Sequence, residues 1–500
     1  RAAGENVGTY AIYQGSVTLG TNYTLSYAGA NLSITTRPVT ITADAKTKIY
    51  GDLDPALTFV RTSGTLVTGD TFTGSLTRAA GENVGTYAIY QGSVTLGTNY
   101  TLSYAGANLS ITTRPVTITV SSTPASQQYS DVVTLSATVS PTSLAGSTLT
   151  GSVTFMIDGV ATGPALTISA GTATQTLAVT QPSGNHTVTA SFTSTAPNFA
   201  DGTGTTPLTV TKENVSLDYV GDTLKLTASP TATSASVNLS AVVKEAADGH
   251  LGSKLDMTSV KFTFYKSTDA TFTSPMTGCT APVILTGLGV GTAGCTSPAF
   301  TVDNYVVKME LLDNAYYLAP IEDITVTVSQ PGTGFTTGGG WLTDPNLGTR
   351  SNLGFTVKYL KNGNIQGNSL YIYRITLATT TTVNGVSIPA GDYNWIIKSN
   401  AMTALSQTCG STTPKICTAR FTGKSTISAV NRATGVTYSL GGNYLFQVDV
   451  TDNGEPGSSA STTPDTYAIR VYDTSNGTYY QLGSPTAQLG LLGGNIQVRP

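Results

Sequence analysis

The feature that most constrains this chain is a literal internal repeat. Residues 1–42 return letter for letter from Arg78, an offset of 77 residues (78 − 1), and identity first fails where Ala43 meets Val120. A repeat of this length is one structural module, and stacking such modules adds length without adding chemistry. One complete unit therefore runs from Pro38 to Thr113, and the chain opens inside another. A chain that opens inside a unit reads as a fragment, with any export signal or anchor expected outside it.

Within the unit the hydrophobic period is two. Tyr100, Leu102 and Tyr104 alternate with Thr101 and Ser103, and Leu109 and Ile111 alternate with Ser110 and Thr112. β-Branched and aromatic residues at that spacing make half-buried strands. Gly51-Asp52, Gly69-Asp70, Gly97-Thr98-Asn99 and Gly106-Ala107-Asn108 supply turns between them. No stretch carries a capped helical period. Short strands at turn-marked intervals predict a β-sandwich.

Tyr50, Gly51, Asp52, Asp54 and Pro55, followed by Gly81, Asn83, Gly85 and Tyr87 and then Asn99-Tyr100, form a spaced signature. It resembles the MBG repeat of bacterial surface adhesins, the variety with a Tyr-Gly-x motif. The resemblance implies an extracellular, immunoglobulin-like sandwich within a large repetitive adhesin. Arg37-Pro38 and its copy Arg114-Pro115 mark the joints between modules. Proline there biases the chain towards extended backbone, which suits either a stiff lead into the next module or an ordinary edge strand.

Three further modules follow. Residues 115–212 carry Gly184-Asn185-His186-Thr187-Val188-Thr189-Ala190 and then Asn198-Phe199, and resemble bacterial Ig-like repeat domains. Residues 213–331 read as another Ig-like sandwich from pattern alone. Residues 332–500, bracketed by Thr337-Gly338-Gly339-Gly340-Trp341 and Gly493-Gly494-Asn495-Ile496-Gln497, resemble a β-rich domain found near the C-terminal end of secreted multidomain bacterial proteins. The fold class is thus all-β: tandem Ig-like β-sandwich modules in an elongated array, with residues 1–37 the back part of a cut repeat and 38–114 a complete one.

Chemistry is sparse. Charged residues make up 11% of the chain and the net charge is −3, so no basic stripe exists to follow a nucleic acid backbone. No apolar run is long enough to span a bilayer. Only His186 and His250 occur, in different modules, which argues against a histidine-bearing triad or a multi-histidine metal site. Gly289-Val290-Gly291-Thr292-Ala293-Gly294 matches G-x-G-x-x-G, but Cys295-Thr296-Ser297-Pro298 follows it. That segment cannot open the helix a dinucleotide needs, so the match reads as a flexible loop. Four cysteines at short spacing read as two local disulfides, Cys279–Cys295 and Cys409–Cys417, and hence an oxidising compartment; the alternative is four buried thiols. Cys279 and Cys295 would staple an excursion around Pro282–Gly294. Asp449, Asp452 and Glu455 around Asn453-Gly454 are the candidate calcium ligands, with a plain turn as the alternative; Asp52 and Asp54 pose the same question in the repeat. No other cofactor is expected.

These readings point to a non-catalytic surface or secreted protein, a modular stalk for adhesion at the bacterial cell surface. Its partner would be an unknown surface receptor, glycan or matrix component. The alternative is a set of carbohydrate- or matrix-binding accessory modules of a larger secreted enzyme.

Overall fold

The computed structural model describes residues 1–500 except 267, 268, 270–273, 313, 333, 412–414, 455–462, 474 and 476. The chain is almost all β, 61% of it in strands. Among the described residues helix is confined to one 3₁₀ turn at Leu255–Met257, and no helix is long and apolar enough to cross a membrane. Two compact units result. The first comprises Arg1–Ser126, Val133–Leu177 and Asn185–Thr209; the second comprises Gln127–Val132, Ala178–Gly184 and Val210–Pro500.

The first unit opens with a two-stranded ladder, β1 (Gly8–Ile12) and β2 (Ala30–Ile34). The complete repeat supplies β3 (Arg37–Ala43), β4 (Lys46–Ile49), β5 (Phe59–Ser63), β6 (Thr77–Arg78), β7 (Gly85–Tyr90), β8 (Tyr100–Ala105) and β9 (Ala107–Thr112). These form two sheets, β5-β3-β8 and β4-β9-β7-β6, an Ig-like sandwich. Its front and back halves are joined by parallel pairing of β3 with β8 and of β4 with β9. Residues 1–37 repeat the sequence of residues 78–114 but form, among the described residues, only the two-stranded ladder of β1 and β2. Val17 and Tyr23 are 64% and 73% exposed, whereas their copies Val94 and Tyr100 are 2% and 8% exposed. Identical residues thus become core only where β3 and β4 cover them.

Residues 116–209 build a second sandwich. Thr117–Thr123, Val132–Ser140 and Thr172–Ala178 make one sheet, while Gly151–Ile157 pairs with Gly184–Ser194 in the other. Alternation settles which face is core: Val133, Leu135, Ala137 and Val139 are buried, as are Val153, Phe155 and Ile157.

The second unit contains a sandwich of two five-stranded sheets. One includes Glu213–Tyr219, Ser234–Glu245 and Val290–Thr301; the other includes Glu322–Ser329, Asp303–Leu311, Ser259–Lys266 and Met276–Pro282. The segment expected to be a glycine-rich loop is instead strand. After the turn at Gly289, Val290 pairs with Lys244 and Gly294 with Ser240. Glycine did not break this strand because its neighbours on both sides supply a continuous ladder. The remainder is an 11-stranded sheet running from Thr478–Leu482 to Gly493–Arg499, with the long strands Gly391–Cys409 and Cys417–Asn431 near its middle. One apolar cluster joins Leu342, Leu353 and Val498 to Val448, Val450 and Leu482, residues drawn from both ends of the strand order.

Glu322–Ser329 lies where sandwich and large sheet meet, and every residue in it is buried. Its odd positions look like a solvent face in sequence. Here they serve as hydrogen-bond donors and acceptors across the seam. Thr325 Oγ1 donates to Leu353 O (2.5 Å), Thr327 Oγ1 to Gly338 O (3.1 Å), and Asn394 Nδ2 to Asp323 Oδ2 (2.9 Å). The glycine run of the Thr-Gly-Gly-Gly-Trp motif allows the approach: a Cβ on Gly339 would stand 2.1 Å from Thr223 O. Arg374 closes the seam. Its Nε donates to Glu322 Oε2 at 2.9 Å and its Nη1 to Asn352 Oδ1 at 2.9 Å, while Arg432 pairs with the other Glu322 oxygen. Burial lowers the Arg374 pKa to about 10, so the group stays charged at neutral pH.

Removing one member of such a group strands the others without compensation. Arg374→Ala is expected to destabilise the second unit by ~3–5 kcal/mol. Trp341 and Trp395 are the only tryptophans and both lie in the large sheet, so the fluorescence midpoint in urea reads this change selectively.

Candidate functional site

The signature residues of the complete repeat converge on two structures. The first is an ion network. Asp54 receives Lys48 Nζ (2.6 Å) and Arg78 Nε (2.5 Å), and Glu82 pairs with the same two cations. Hydrogen bonds from Arg78 and then Lys48 hold the Asp54 carboxyl below its ordinary range; those from Lys48 and then Arg78 do the same for Glu82. Arg78 also lies over the Tyr87 ring at 5.5 Å, and the Tyr87 hydroxyl donates to Asn83 O at 2.8 Å. Gly81 has φ +137° with the Tyr87 ring against it, and a Cβ there would fall 2.2 Å from Tyr87 Cε1. Gly85 opens β7, Pro55 is half-buried between β4 and β5, and Gly51 turns the chain after β4 with φ +83°.

The second structure is the joint to the next module. Asn83 Oδ1 accepts from Asn198 Nδ2 (2.9 Å), and Asn198 Oδ1 accepts from Val84 N–H (3.0 Å). Arg114 N–H donates to Asn198 O (2.9 Å) and Ala200 N–H to Arg114 O (2.9 Å). Tyr50 is buried, donates to Leu144 O at 2.9 Å and meets Phe199 edge-on, and Asp52 takes Arg114 Nη2 at 2.8 Å. One unit earlier the pattern recurs. Asn99 Oδ1 accepts from Val7 N–H (2.9 Å), Asn99 Nδ2 donates to Asn6 Oδ1 (2.8 Å), and Arg37 N–H donates to Asn99 O (3.0 Å). Asn6 is the copy of Asn83, whereas Asn99 and Asn198 lie in unlike modules.

The network, the turn at Gly51 and this joint engage most of the signature residues, and the family comparison lands on the same segment. Residues 39–110 match the family model of the MBG domain, YGX type. The chain is a modular all-β protein with one segment similar to the MBG domain. No curated protein matches it. Among solved structures it overlays on FdeC, an Escherichia coli adhesin, at 14% identity over 58% of this chain and 96% of that one (TM-score 0.24). It also overlays on the Yersinia pseudotuberculosis adhesin InvE, at 14% identity over 49% and 69% (TM-score 0.25), and on invasin, a bacterial integrin-binding protein, at 14% over 77% and 79% (TM-score 0.27). Overlays at such scores support no statement about function.

Outside the MBG domain the other sequence candidates fall as follows. Cys279 is bonded to Cys295 and Cys409 to Cys417. Cys279 lies on Met276–Pro282 and Cys295 on Val290–Thr301, so the first bond both closes the segment between them and joins the two sheets of its sandwich. Cys409 and Cys417 face each other across the tip of the sheet's two longest strands. Asp449 and Asp452 stand three apart on Tyr444–Asp452 and so face opposite sides of the strand. Asp449 pairs with Arg420 (2.6 Å), while Asp452 accepts from Val498 N–H (2.9 Å) and Gly454 N–H (2.9 Å). These two do not share a coordination sphere, and Glu455 lies outside the described residues. Asp52 and Asp54 are occupied by arginine and lysine. His186 Nδ1 bonds Asp158 Oδ2 at 2.6 Å, and Asp158 Oδ1 accepts from Thr187 N–H at 2.9 Å. The pair ties down a hairpin turn.

Sequence reading missed one cluster. Carboxylate oxygens of Asp131, Glu213 and Asp248 lie within 4.8 Å of one another, all in the second unit. Burial, then the charges of Asp248, Asp131 and Glu245, pushes Glu213 up to about 7. The three are spread over 117 positions (248 − 131), so no local spacing announces them.

Because the Asp54 and Glu82 pKa values are lowered on folding, their stabilisation is full above the ordinary carboxylate range and disappears as pH falls below it. Asp54→Asn is expected to cost the MBG domain about 1 kcal/mol or less at neutral pH. That difference should vanish in acid, as read from urea-dependent hydrogen exchange of β4 and β9 amides.

Proposed function

We propose that the chain is a non-catalytic, adhesin-like protein of the bacterial surface in which MBG and Ig-like modules act as spacers for adhesion. What carries the reading is the recurring asparagine joint. The same Asn-Val corner engages Asn99 of an MBG domain and Asn198 of a different sandwich with near-identical bonds. A coupling indifferent to the next module is what a spacer needs, and a catalytic scaffold has no use for it. The disulfides fit an oxidising exterior.

Beads carrying the full chain are expected to adhere to at least one glycan or matrix-coated surface and to show no turnover of glycoside or peptide substrates. Hydrolytic turnover, or no adhesion on any surface, would overturn the proposal. Asn198→Ala leaves Val84 N–H without its acceptor and should cost ~1–3 kcal/mol at the joint. Separate NMR correlation times for residues 38–113 and 116–209 are then expected in the variant, against one common time in the parent.

A specific feature favours the chain's second unit as the part that grips. A cleft of about 690 Å³ is lined by Asp303, Lys358, Gln366 and Asn368 with Tyr359 exposed at its side. An exposed ring among polar groups suits a sugar face. Tyr359→Ala is expected to reduce bead retention on glycan surfaces while leaving tryptophan fluorescence unchanged.

A further inference from the structure

We propose that Asp131, Glu213 and Asp248 bind one hard divalent cation of the calcium class. Oxygens held at about 2.3–2.6 Å from a single Ca²⁺ sit up to roughly 5 Å apart, and one oxygen from each of these carboxylates lies within 4.8 Å of the others. Carboxylates with no sulfur or imidazole among them select a hard ion.

Glu213 makes the cluster more than a patch of acids. It is 1% exposed. Its Oε1 accepts from Asn214 N–H at 2.8 Å, but its Oε2 is buried with no hydrogen-bond partner. A buried carboxylate oxygen left unsatisfied is costly, and this carboxyl points into two other carboxyls. A cation among the three satisfies the lone pair and cancels the repulsion at once.

The ligands are fixed by backbone from three separate segments. Ser130 N–H donates to Val179 O (2.9 Å) and Val179 N–H to Asp131 O (2.8 Å), clamping the first. Glu213 opens its strand with its N–H on Tyr316 O (2.8 Å). Asp248 lies in a loop tethered by Glu245, whose two oxygens accept from Gly252 N–H at 3.0 and 2.7 Å. Asp248 Oδ1 accepts from His250 N–H (3.2 Å), and its side chain reaches solvent. Water can therefore complete the roughly six to eight oxygens that Ca²⁺ takes. Mg²⁺, which demands near-ideal octahedral geometry, fits a three-segment site less well. Bound Ca²⁺ would tie the Gln127–Val132 segment to the strand from Glu213 and to the loop at residues 246–252.

The test uses the full chain stripped with EDTA and titrated with CaCl₂ by calorimetry, with hydrogen exchange of residues 127–132 and 246–252. One Ca²⁺ per chain is expected, with Kd of about 10⁻⁴–10⁻³ M, the range of extracellular modules, and weaker binding of Mg²⁺. Both segments should gain protection. Glu213→Gln and Asp248→Asn should each weaken binding at least about tenfold, while Asp449→Asn leaves it unchanged. No Ca²⁺ binding up to about 10 mM, well above that range, would overturn the site. So would an unchanged Kd in Asp248→Asn, a solvent-facing loop substitution that does not threaten folding, or a loss confined to Asp449→Asn.

Discussion

Parallel pairing of β3 with β8 and of β4 with β9 is the interaction on which the repeat depends. The back half of a unit holds Val94, Leu96, Tyr100 and Leu109, all buried, yet it owns no surface that could cover them. The front half provides that cover through two parallel ladders that reach across more than sixty positions of sequence. Val17, Leu19, Tyr23 and Leu32, the same residues without the front half, stay exposed. Alternation gives a strand an apolar face; only the second layer turns that face into a core.

The same constraint acts on a larger scale in the second unit. The sheet containing Glu322–Ser329 packs its apolar side, Ile324, Val326 and Val328, into its own sandwich. Its polar side is pressed against the large sheet and paid for by hydrogen bonds to Leu353, Gly338 and Asn394. Threonine suits this role because its hydroxyl reaches a carbonyl while its methyl packs. Arg374 and Glu322 are buried in company rather than alone, so losing either partner costs more than the pair itself contributes.

Period-two alternation and turn residues make the all-β class and the Ig-like repeat legible in the sequence itself. The spacing of Tyr50, Gly51, Asp54, Gly81 and Tyr87 marked them as a signature, but Tyr50 reaches Leu144 and Asp54 reaches Arg78, partners that the spacing does not name. What stayed hidden was whatever depends on two distant segments meeting. Thr325 and Thr327 look like solvent-facing positions because a partner sheet leaves no mark on the strand it covers. The G-x-G-x-x-G run reads as a loop because Cys295-Thr296-Ser297-Pro298 rules out a following helix, and nothing in that stretch announces the strands that pair with it. Asp449 and Asp452 looked like ligands because closeness in sequence was taken for closeness in space, and a strand sends positions three apart to opposite sides. Asp131, Glu213 and Asp248 show the converse.

The asparagine joint has a consequence for heredity. Each unit bears one half of the contact at either end, and the half it offers forward is the same whichever fold receives it. A gene built this way can lengthen or shorten by whole cassettes without a compensating change elsewhere, because every new boundary arrives already fitted. Selection on the number of modules can then act through copy number alone.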